Sequence, residues 1–235
     1  MKDLLRLEAG KSKLAFSGTG PGEQTLDGCS VEFYRRSQTG EEPALIQEFG
    51  PPPADLLELG CGAGRVTGSL VDAGYSVTAV DNSEAMLNNI TGASLVLSDI
   101  ESLRLGRTFD VVTLASYLLN SPLPETRTAF LETVGAHLAT DGVALFEVNP
   151  PAILESRVGI LRDDDECTVG ISEFEVDGSL ISMTLTYRMG EQDWSHSFDT
   201  QYLPEDEIRE LLDSHGLRFS TWMHERQSWF SATRS

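Results

Sequence analysis

The sequence predicts an α/β fold built on a doubly wound, mostly parallel sheet. Between residues 55 and 149, short apolar runs rich in β-branched residues alternate with segments whose apolar residues recur at helical spacing. This alternation is typical of parallel sheets, because parallel neighbours need a long crossover connection that a helix supplies. In addition, a glycine-rich turn, "GCGAG" at residues 60–64, directly follows the first predicted strand.

The region 55–149 holds five predicted strands and the helices between them. The strands are predicted at 55–59, 75–81, 93–100, 109–116 and 141–149, and the helices at 63–74, 82–90 and 124–140. Gly74 suits the residue just past a helix end, because glycine adopts the left-handed conformation found there. Ser83 or Asn82 can cap the next helix.

The pattern changes after Pro150 and Pro151. Residues 165–203 alternate apolar and polar side chains and contain an Asp-Gly turn, which predicts an antiparallel insertion after the fifth strand. A helix at 204–215 and strands near 217–223 and 228–233 complete a seven-stranded sheet. Before the sheet, residues 1–54 are predicted to form an N-terminal helical lid, with a helix at 43–49 and a linker at 50–54. The main domain is then 55–235.

The composition of the chain restricts the classes of molecule that it can bind. The chain has 235 residues, a net charge of −20 and a pI near 4.4, so nucleic acid and anionic membrane surfaces are unfavourable partners. Three separated cysteines predict neither a disulfide scaffold nor a metal site. The N-terminus lacks a signal-peptide pattern, and no run approaches the ~18 apolar residues of a membrane helix, so we expect a cytoplasmic protein.

The glycine turn discriminates between two kinds of ligand. A dinucleotide site has the pattern G-x-G-x-x-G, and counting from Gly60 the third glycine would fall at Arg65. Glu58 precedes the turn, and its carboxylate would repel a pyrophosphate but attract an ammonium group. The ligand is therefore expected to carry a positive charge at this point.

With these features the sequence resembles the class I methyltransferases, which use S-adenosylmethionine. "LLELGCGAG" matches their first motif, Asp81 stands where their second motif ends, and Asp99 with Ile100 fits the third. "FDVVTLAS" and "HLATDGVALFE" resemble the elements that follow, so the resemblance covers residues 55–149. It implies a Rossmann-like fold and S-adenosyl-L-methionine as the cofactor.

The resemblance also implies which residues contact the cofactor. Asp81 would bind the ribose hydroxyls, Asp99 and Ile100 the adenine, and Met86 would pack near that ring. The early helix would place Tyr34 over the cofactor. The remaining predicted cofactor-binding residues are Glu58, Gly60, Cys61, Gly62, Gly64, Asn82, Ala115 and Ser116.

Catalytic and acceptor-binding groups are expected at the carboxyl ends of the strands and in the antiparallel insertion, which covers the substrate in similar enzymes. His196, Glu147 and Tyr117 are the candidate catalytic residues, because a hydroxyl or aromatic-carbon acceptor usually needs a general base. The candidate acceptor contacts are Asn120, Asn149 and Trp194.

The predicted function is methyl transfer to a small-molecule or modified-peptide acceptor, with a slight preference for an amine nitrogen, in natural-product biosynthesis. The acidic charge is compatible with a cationic amine. Alternatives are O- or C-methylation with a histidine or glutamate base, a nicotinamide-dependent oxidoreductase, and a noncatalytic methyltransferase-like subunit. The sequence does not predict the oligomeric state.

Overall fold

The structure is a computed structural model that describes residues 6–9 and 12–235. Residues 1–5, 10 and 11 of the predicted N-terminal segment lie outside the described residues. Within the described part of the chain, no helix is long and apolar enough to cross a membrane.

The strands are numbered in chain order. They are β1 (Arg6–Ala9), β2 (Ser12–Ala15), β3 (Ser17–Thr19), β4 (Asp55–Leu59), β5 (Ser76–Asp81), β6 (Ser94–Leu97), β7 (Phe109–Leu114), β8 (Leu138–Glu147), β9 (Gly159–Asp163), β10 (Thr168–Asp177), β11 (Leu180–Met189), β12 (Gln192–Gln201), β13 (Leu217–Trp222) and β14 (Trp229–Arg234). The α-helices are α1 (Val31–Arg36), α2 (Glu42–Phe49), α3 (Thr67–Asp72), α4 (Glu84–Leu87), α5 (Pro124–His137) and α6 (Glu205–Asp213). Short 3₁₀ helices cover Leu118–Asn120 and Pro151–Glu155.

The central sheet has seven strands in the order β13-β14-β8-β7-β4-β5-β6. The five strands from β8 to β6 in that order are parallel, whereas β14 pairs antiparallel with both β8 and β13. This is the predicted Rossmann-like, mostly parallel seven-stranded sheet, and the prediction is confirmed.

Apolar side chains cover both faces of this sheet. On one face, Leu57 and Val112 pack with Leu131 of α5 and Leu212 of α6, and on the other, Leu56 and Val111 pack with Ile46 of α2 and Leu70 of α3. Burial on both faces explains why the strands read as continuous apolar runs rather than alternating ones. Glu58 is a charged exception to this pattern.

Two of the helices are shorter than predicted. The glycine turn, with positive φ angles at Gly60, Gly62 and Gly64, delays the start of the helix, so α3 begins at Thr67 rather than at 63. Helix α4 covers only Glu84–Leu87, and Ser83 caps it by accepting a hydrogen bond from the Met86 N–H at 3.3 Å. The shorter helices leave more irregular backbone at the carboxyl ends of the strands.

A second, antiparallel sheet has the order β3-β12-β11-β10-β9. The predicted insertion therefore exists, but it begins at Gly159 rather than near residue 165. The N-terminal segment is also not purely helical, because β1 pairs with β2 and β3 joins the second sheet at β12. Strand β3 has only three residues, in a stretch rich in glycine and serine, and its pairing partner lies about 180 residues away. For this reason the local sequence pattern does not predict the strand.

Candidate active site

The candidate site lies at the carboxyl ends of the parallel strands. From β4 the chain winds to β5 on one side, and β7 lies on the other, so the strand order reverses between β4 and β7. Ligands of open α/β sheets bind at such a reversal point. Several predicted site residues lie at this edge of the sheet. The glycine turn follows β4, Asp81 ends β5, Ser116 follows β7 and Glu147 ends β8.

The three positions of the turn require glycine for different physical reasons. Gly60, Gly62 and Gly64 have φ angles of +73°, +55° and +82°, a region that glycine adopts without strain. A Cβ on Gly60 would lie 2.7 Å from Leu118, and one on Gly64 would lie 2.5 Å from Ile90, so packing excludes side chains there. A Cβ on Gly62 would meet nothing within 4 Å. The backbone at Gly62 therefore faces open space that a ligand can enter.

Asp81 connects this turn to the next loop. Its Oδ2 accepts a hydrogen bond from the Gly62 N–H at 2.8 Å, and its Oδ1 accepts one from the Ser83 N–H at 2.9 Å. Burial raises the pKa of Asp81, although the backbone N–H groups of Ser83 and Gly62 oppose that rise. The Asn82 side chain donates to Asp99 Oδ1 at 2.9 Å. Asp81 thus lies beside the glycine turn and Asp99 beside the residue that follows Asp81, and the contact of either carboxylate with a nucleoside stays a prediction.

Glu58 is more enclosed than the sequence suggests. The residue is 6% exposed, and the Thr67 hydroxyl donates to its Oε2 at 2.6 Å. Burial raises the pKa of Glu58 to about 7, while the Thr67 hydrogen bond and the Arg65 charge act in the opposite direction. The carboxyl group therefore ties β4 to the start of α3, and near neutral pH it is only partly ionised. Its predicted attraction for a ligand ammonium group stays a prediction.

Arg65 occupies the position at which a dinucleotide site has its third glycine. Its Nη1 lies 2.7 Å from Oε1 of Glu42, the first residue of α2. This ion pair connects the glycine turn to the N-terminal segment. Glu42 is not among the predicted site residues, because its only signal in the sequence is a carboxylate directly before the helix predicted at 43–49.

Glu147, at the end of β8, is hydrogen-bonded to the loop that follows β7. The Ser116 N–H donates to its Oε2 at 2.7 Å, and the Tyr117 hydroxyl also hydrogen-bonds to this carboxyl group. Burial raises the pKa of Glu147 to about 7, the Glu42 charge adds to the rise, and the Ser116 N–H and Arg65 oppose it. A carboxyl group with this pKa can accept or release a proton near neutral pH.

The backbone that presents Tyr117 is strained. Ser116 and Tyr117 have φ angles of +57° and +58°, which non-glycine residues adopt at an energetic cost. The Tyr117 side chain is 42% exposed at this turn. Two consecutive residues of this kind are the type of strain that concentrates at functional sites.

A cavity of about 320 Å³ opens beside Glu147. It is lined by Gly40, Glu41, Glu42, Glu147, Arg226 and Trp229. Arg226 pairs with Glu41, and Arg65 pairs with Glu42. Of the three lining carboxylates, Glu147 makes no ion pair within the described residues. The cavity therefore offers one carboxyl group that can interact with a cationic ligand.

The insertion places His196 and Trp194 against the N-terminal segment. His196 Nε2 lies 2.9 Å from the Asp27 carbonyl oxygen, and burial lowers the pKa of this imidazole. Trp194 is 2% exposed, and its indole N–H donates to the Pro21 carbonyl oxygen at 2.9 Å. Trp194, predicted as an acceptor contact, thus contributes here to packing in a cluster with Phe33 of α1.

Asn120 and Asn149, also predicted as acceptor contacts, are buried in a polar network. The Asn149 N–H donates to Asn120 Oδ1 at 2.9 Å, and the Asn120 side chain donates to the Gln201 carbonyl oxygen at 2.7 Å. The Asn149 side chain donates to the Thr200 hydroxyl at 2.8 Å. These bonds fasten the end of β12 to the loops after β7 and β8, which gives both asparagines a structural role.

The other predicted cofactor-binding side chains have little exposed surface. Cys61, Met86 and Ile100 are buried, and Ala115 packs against the core. The Tyr34 hydroxyl hydrogen-bonds to that of Tyr187 on β11. In this arrangement Tyr34 connects α1 to the second sheet.

Comparison with known proteins identifies relatives. Residues 56–142 match a family model described as a methyltransferase domain. A curated relative, the cypemycin N-terminal methyltransferase of a Streptomyces species, is 32% identical over 114 residues, which are 46% of each chain. The match therefore spans less than half the length of this relative.

Solved structures share the fold over most of the chain. The CcbJ methyltransferase from Streptomyces caelestis superposes with a TM-score of 0.68 at 18% identity, covering 86% of this chain and 92% of that one. CalS10, an amino pentose methyltransferase from Micromonospora echinaspora solved with S-adenosylmethionine bound, gives a TM-score of 0.67 at 22% identity, covering 87% and 95%. At these identities the likeness establishes the fold.

Proposed function

Because residues 56–142 match a methyltransferase domain and the chain has the fold of solved methyltransferases, we propose that it transfers a methyl group from S-adenosylmethionine to an amine nitrogen of a natural-product intermediate. The acceptor would be an amino sugar or a peptide with a free amino group. The observation that carries the choice of an amine is Glu147, a carboxyl group without an ion pair in the described site, with a pKa raised by burial to about 7, beside an open cavity.

The residues at the glycine turn fit the cofactor. The open space at Gly62 lets a ligand approach the backbone closely, and Asp81 offers carboxylate oxygens beside it. Asp99, held by Asn82, lies on the adenine side of the site in this proposal, with Met86 and Ile100 as apolar walls. The bound cofactor would supply an electrophilic methyl group on a sulfonium centre, so the protein needs only to align the acceptor and manage its proton.

Glu147 would manage that proton. An aliphatic amine is mostly protonated at neutral pH and must lose a proton before its lone pair can attack. The Glu147 carboxylate would bind the ammonium group, accept one proton from it and leave a neutral amine in place. The Ser116 N–H and the Tyr117 hydroxyl hold the carboxyl group in position for this exchange.

The N-terminal segment and the antiparallel sheet would cover the acceptor. The buried Asn120 network and the packing of Trp194 against the N-terminal segment support a cover that is fixed to the main sheet. The relatives also favour an amine, since one is named for N-terminal methylation of cypemycin and another for an amino pentose.

Methylation of a panel of amines tests this proposal. The protein would be incubated with methyl-labelled cofactor and with amino sugars, short peptides with free N-termini, and the same molecules carrying a hydroxyl in place of the amine. Mass spectrometry should detect label on the amines alone. Label on the hydroxyl series alone would establish O-methylation instead, and binding of NAD(H) without binding of S-adenosylhomocysteine in calorimetry would refute the methyltransferase assignment.

A further inference from the structure

Arg65 links the glycine turn to the cavity beside Glu147, which we call the acceptor cavity. Arg65 directly follows the turn, and its Nη1 lies 2.7 Å from Oε1 of Glu42, a cavity-lining residue. The same nitrogen donates a hydrogen bond to the Gln38 carbonyl oxygen at 3.4 Å. The guanidinium group thus contacts residues 38–42, the segment that leads into α2, at both of its ends.

Residues 38–42 form one wall of the acceptor cavity, because Gly40, Glu41 and Glu42 all line it. The other carboxylate oxygen of Glu42, Oε2, accepts a hydrogen bond from the Gly40 N–H at 2.7 Å. Glu42 therefore fixes the backbone of this wall with one oxygen and binds Arg65 with the other. Without Arg65, the wall would lose its link to the turn that follows β4.

The acceptor cavity has a second arginine–glutamate pair, which is more exposed. The side chains of Arg226 and Glu41 are 66% and 46% exposed, whereas those of Arg65 and Glu42 are 24% and 12% exposed. Water and salt screen exposed charges more than enclosed ones. The charges of Arg65 and Glu42 therefore act more strongly on neighbouring groups than those of the exposed pair.

Glu147 is the group on which these charges act. The charged and titratable groups that act on it, line its cavity or pair with a lining residue are Glu41, Glu42, Arg65, Tyr117, His224 and Arg226. Burial raises the pKa of Glu147 to about 7, the Glu42 charge adds to the rise, and the Arg65 charge opposes it. The two members of one ion pair thus influence this carboxyl group with opposite signs.

We propose that Arg65 is a positioning residue, which holds the 38–42 wall of the acceptor cavity through Glu42 and favours the carboxylate form of Glu147 through its own charge. Glu42 completes the ion pair but, as an anion, disfavours a second anion nearby. The inference rests on the proposed function in one respect, that Glu147 accepts the proton of the acceptor. The pair then sets the pH range in which the reaction proceeds.

Two variants that break the same ion pair should move the titration of Glu147 in opposite directions. Its midpoint should rise in Arg65→Met and fall in Glu42→Gln, each by about 0.5 pH unit or more, a small part of the effect that a neighbouring charge can have. Carbon-13 NMR of protein labelled at the glutamate carboxyl groups measures the midpoint, and the signal lost in Glu147→Gln assigns it. A purely structural effect would admit water and lower the midpoint in both variants.

Two further variants are matched controls for charge and place. Arg65→Lys keeps the charge and should keep the native midpoint. Arg226→Met breaks the exposed pair with Glu41 and should shift the midpoint less than Arg65→Met does. In assays of methyl transfer, the pH at which kcat/KM rises should follow the Glu147 midpoint of each variant.

Hydrogen–deuterium exchange tests the wall itself. Residues 38–42 should exchange about two- to tenfold faster in both Arg65→Met and Glu42→Gln, the effect of losing one net hydrogen bond. Arg188→Met, which breaks an exposed ion pair with Asp193 in the β11–β12 hairpin, should leave their exchange unchanged. Circular dichroism of each variant checks that it is folded.

The inference would be overturned if Arg65→Met left the midpoint unchanged or lowered it, or if residues 38–42 exchanged at the native rate in both pair-breaking variants. Titration and exchange need neither cofactor nor acceptor. The expected shifts in a protein that methylates no amine would therefore support the role of Arg65 and refute only the proposed function. Methylation of amines with an unmoved midpoint would refute the role of Arg65 alone.

Discussion

The two halves of the candidate site are built in different ways. In the proposed cofactor half, Asp81 accepts hydrogen bonds from the Gly62 and Ser83 N–H groups, and Asn82 donates to Asp99, so every partner lies within about twenty residues of the next. In the proposed acceptor half, the carboxyl group of Glu147 accepts a hydrogen bond from a loop some thirty residues earlier in the chain. The cavity beside it is lined by groups from residues 40–42 and from 226 and 229.

This difference has a physical basis. The cofactor half relies on backbone N–H groups and on glycines whose conformation is set locally, so its geometry follows from a short sequence. The acceptor half depends on the packing of distant segments and can change its lining residues without disturbing the sheet. The proposed cofactor half therefore suits a ligand that stays the same, whereas the proposed acceptor half suits an acceptor that can differ between enzymes.

The largest expected effect comes from Glu147→Gln. Removing the group that accepts the proton should lower kcat/KM by about 100- to 10,000-fold, the range for loss of a general base. In the native enzyme, kcat/KM should rise as pH increases through about 7, because the Glu147 carboxyl group ionises there, and this rise should disappear in the variant. Steady-state rates from pH 5.5 to 8.5 measure both.

Glu155→Gln is the matched control, since Glu155 is an exposed glutamate on the segment that follows β8. Its activity should equal that of the native enzyme. If Glu147→Gln retained full activity while His196→Ala lost it, the proton would pass to His196, and the acceptor half would be centred on the second sheet.

The next effect concerns the cofactor half. Asp81→Ala should weaken the binding of S-adenosylhomocysteine by roughly 10- to 150-fold, corresponding to the ~1.5–3 kcal/mol of a hydrogen bond to a charged group. The KM for the acceptor should change little if the two halves are independent. Isothermal titration calorimetry measures the first quantity, and Asp72→Asn, a change at an exposed aspartate on α3, provides the control. If the dissociation constant did not change, Asp81 would serve only to hold the backbone of Gly62 and Ser83 in place.

The sequence predicts the local fold of the proposed cofactor half well because its signals are local. The glycine spacing, the Ser83 cap and the strand ending at Asp81 are each readable within a few residues, and the parallel sheet follows from the alternation of strands and helices.

The acceptor half could not be predicted in the same way. Whether Asn120 faces a substrate or the interior depends on Gln201, about eighty residues away, and the burial of Trp194 depends on Pro21 near the N-terminus. Polar and aromatic residues in loops have the same appearance in a sequence whether they bind ligands or other loops. Burial also changes chemistry, as it does for the carboxyl groups of Glu58 and Glu147, whose raised pKa values no sequence pattern reports.

The smallest expected effect tests whether the charge of Glu58 contributes to cofactor binding. If its carboxylate attracts the ammonium group of the cofactor, Glu58→Gln should weaken S-adenosylhomocysteine binding about two- to tenfold at pH 8, the ~0.5–1.5 kcal/mol of one interaction. The effect should be smaller at pH 6, where the native carboxyl group is mostly protonated because its pKa is about 7.

Folding stability should respond to Glu58→Gln with the opposite sign. A carboxyl group whose pKa is raised on folding favours the folded state below its unfolded pKa and loses that contribution as pH rises through the folded value. The melting temperature of Glu58→Gln relative to the native protein should therefore increase from pH 5 to pH 8, while its cofactor affinity relative to the native protein decreases. A variant that gains stability with unchanged affinity at pH 8 would show that Glu58 serves only to hold Thr67, and that the selectivity of the turn comes from its backbone shape.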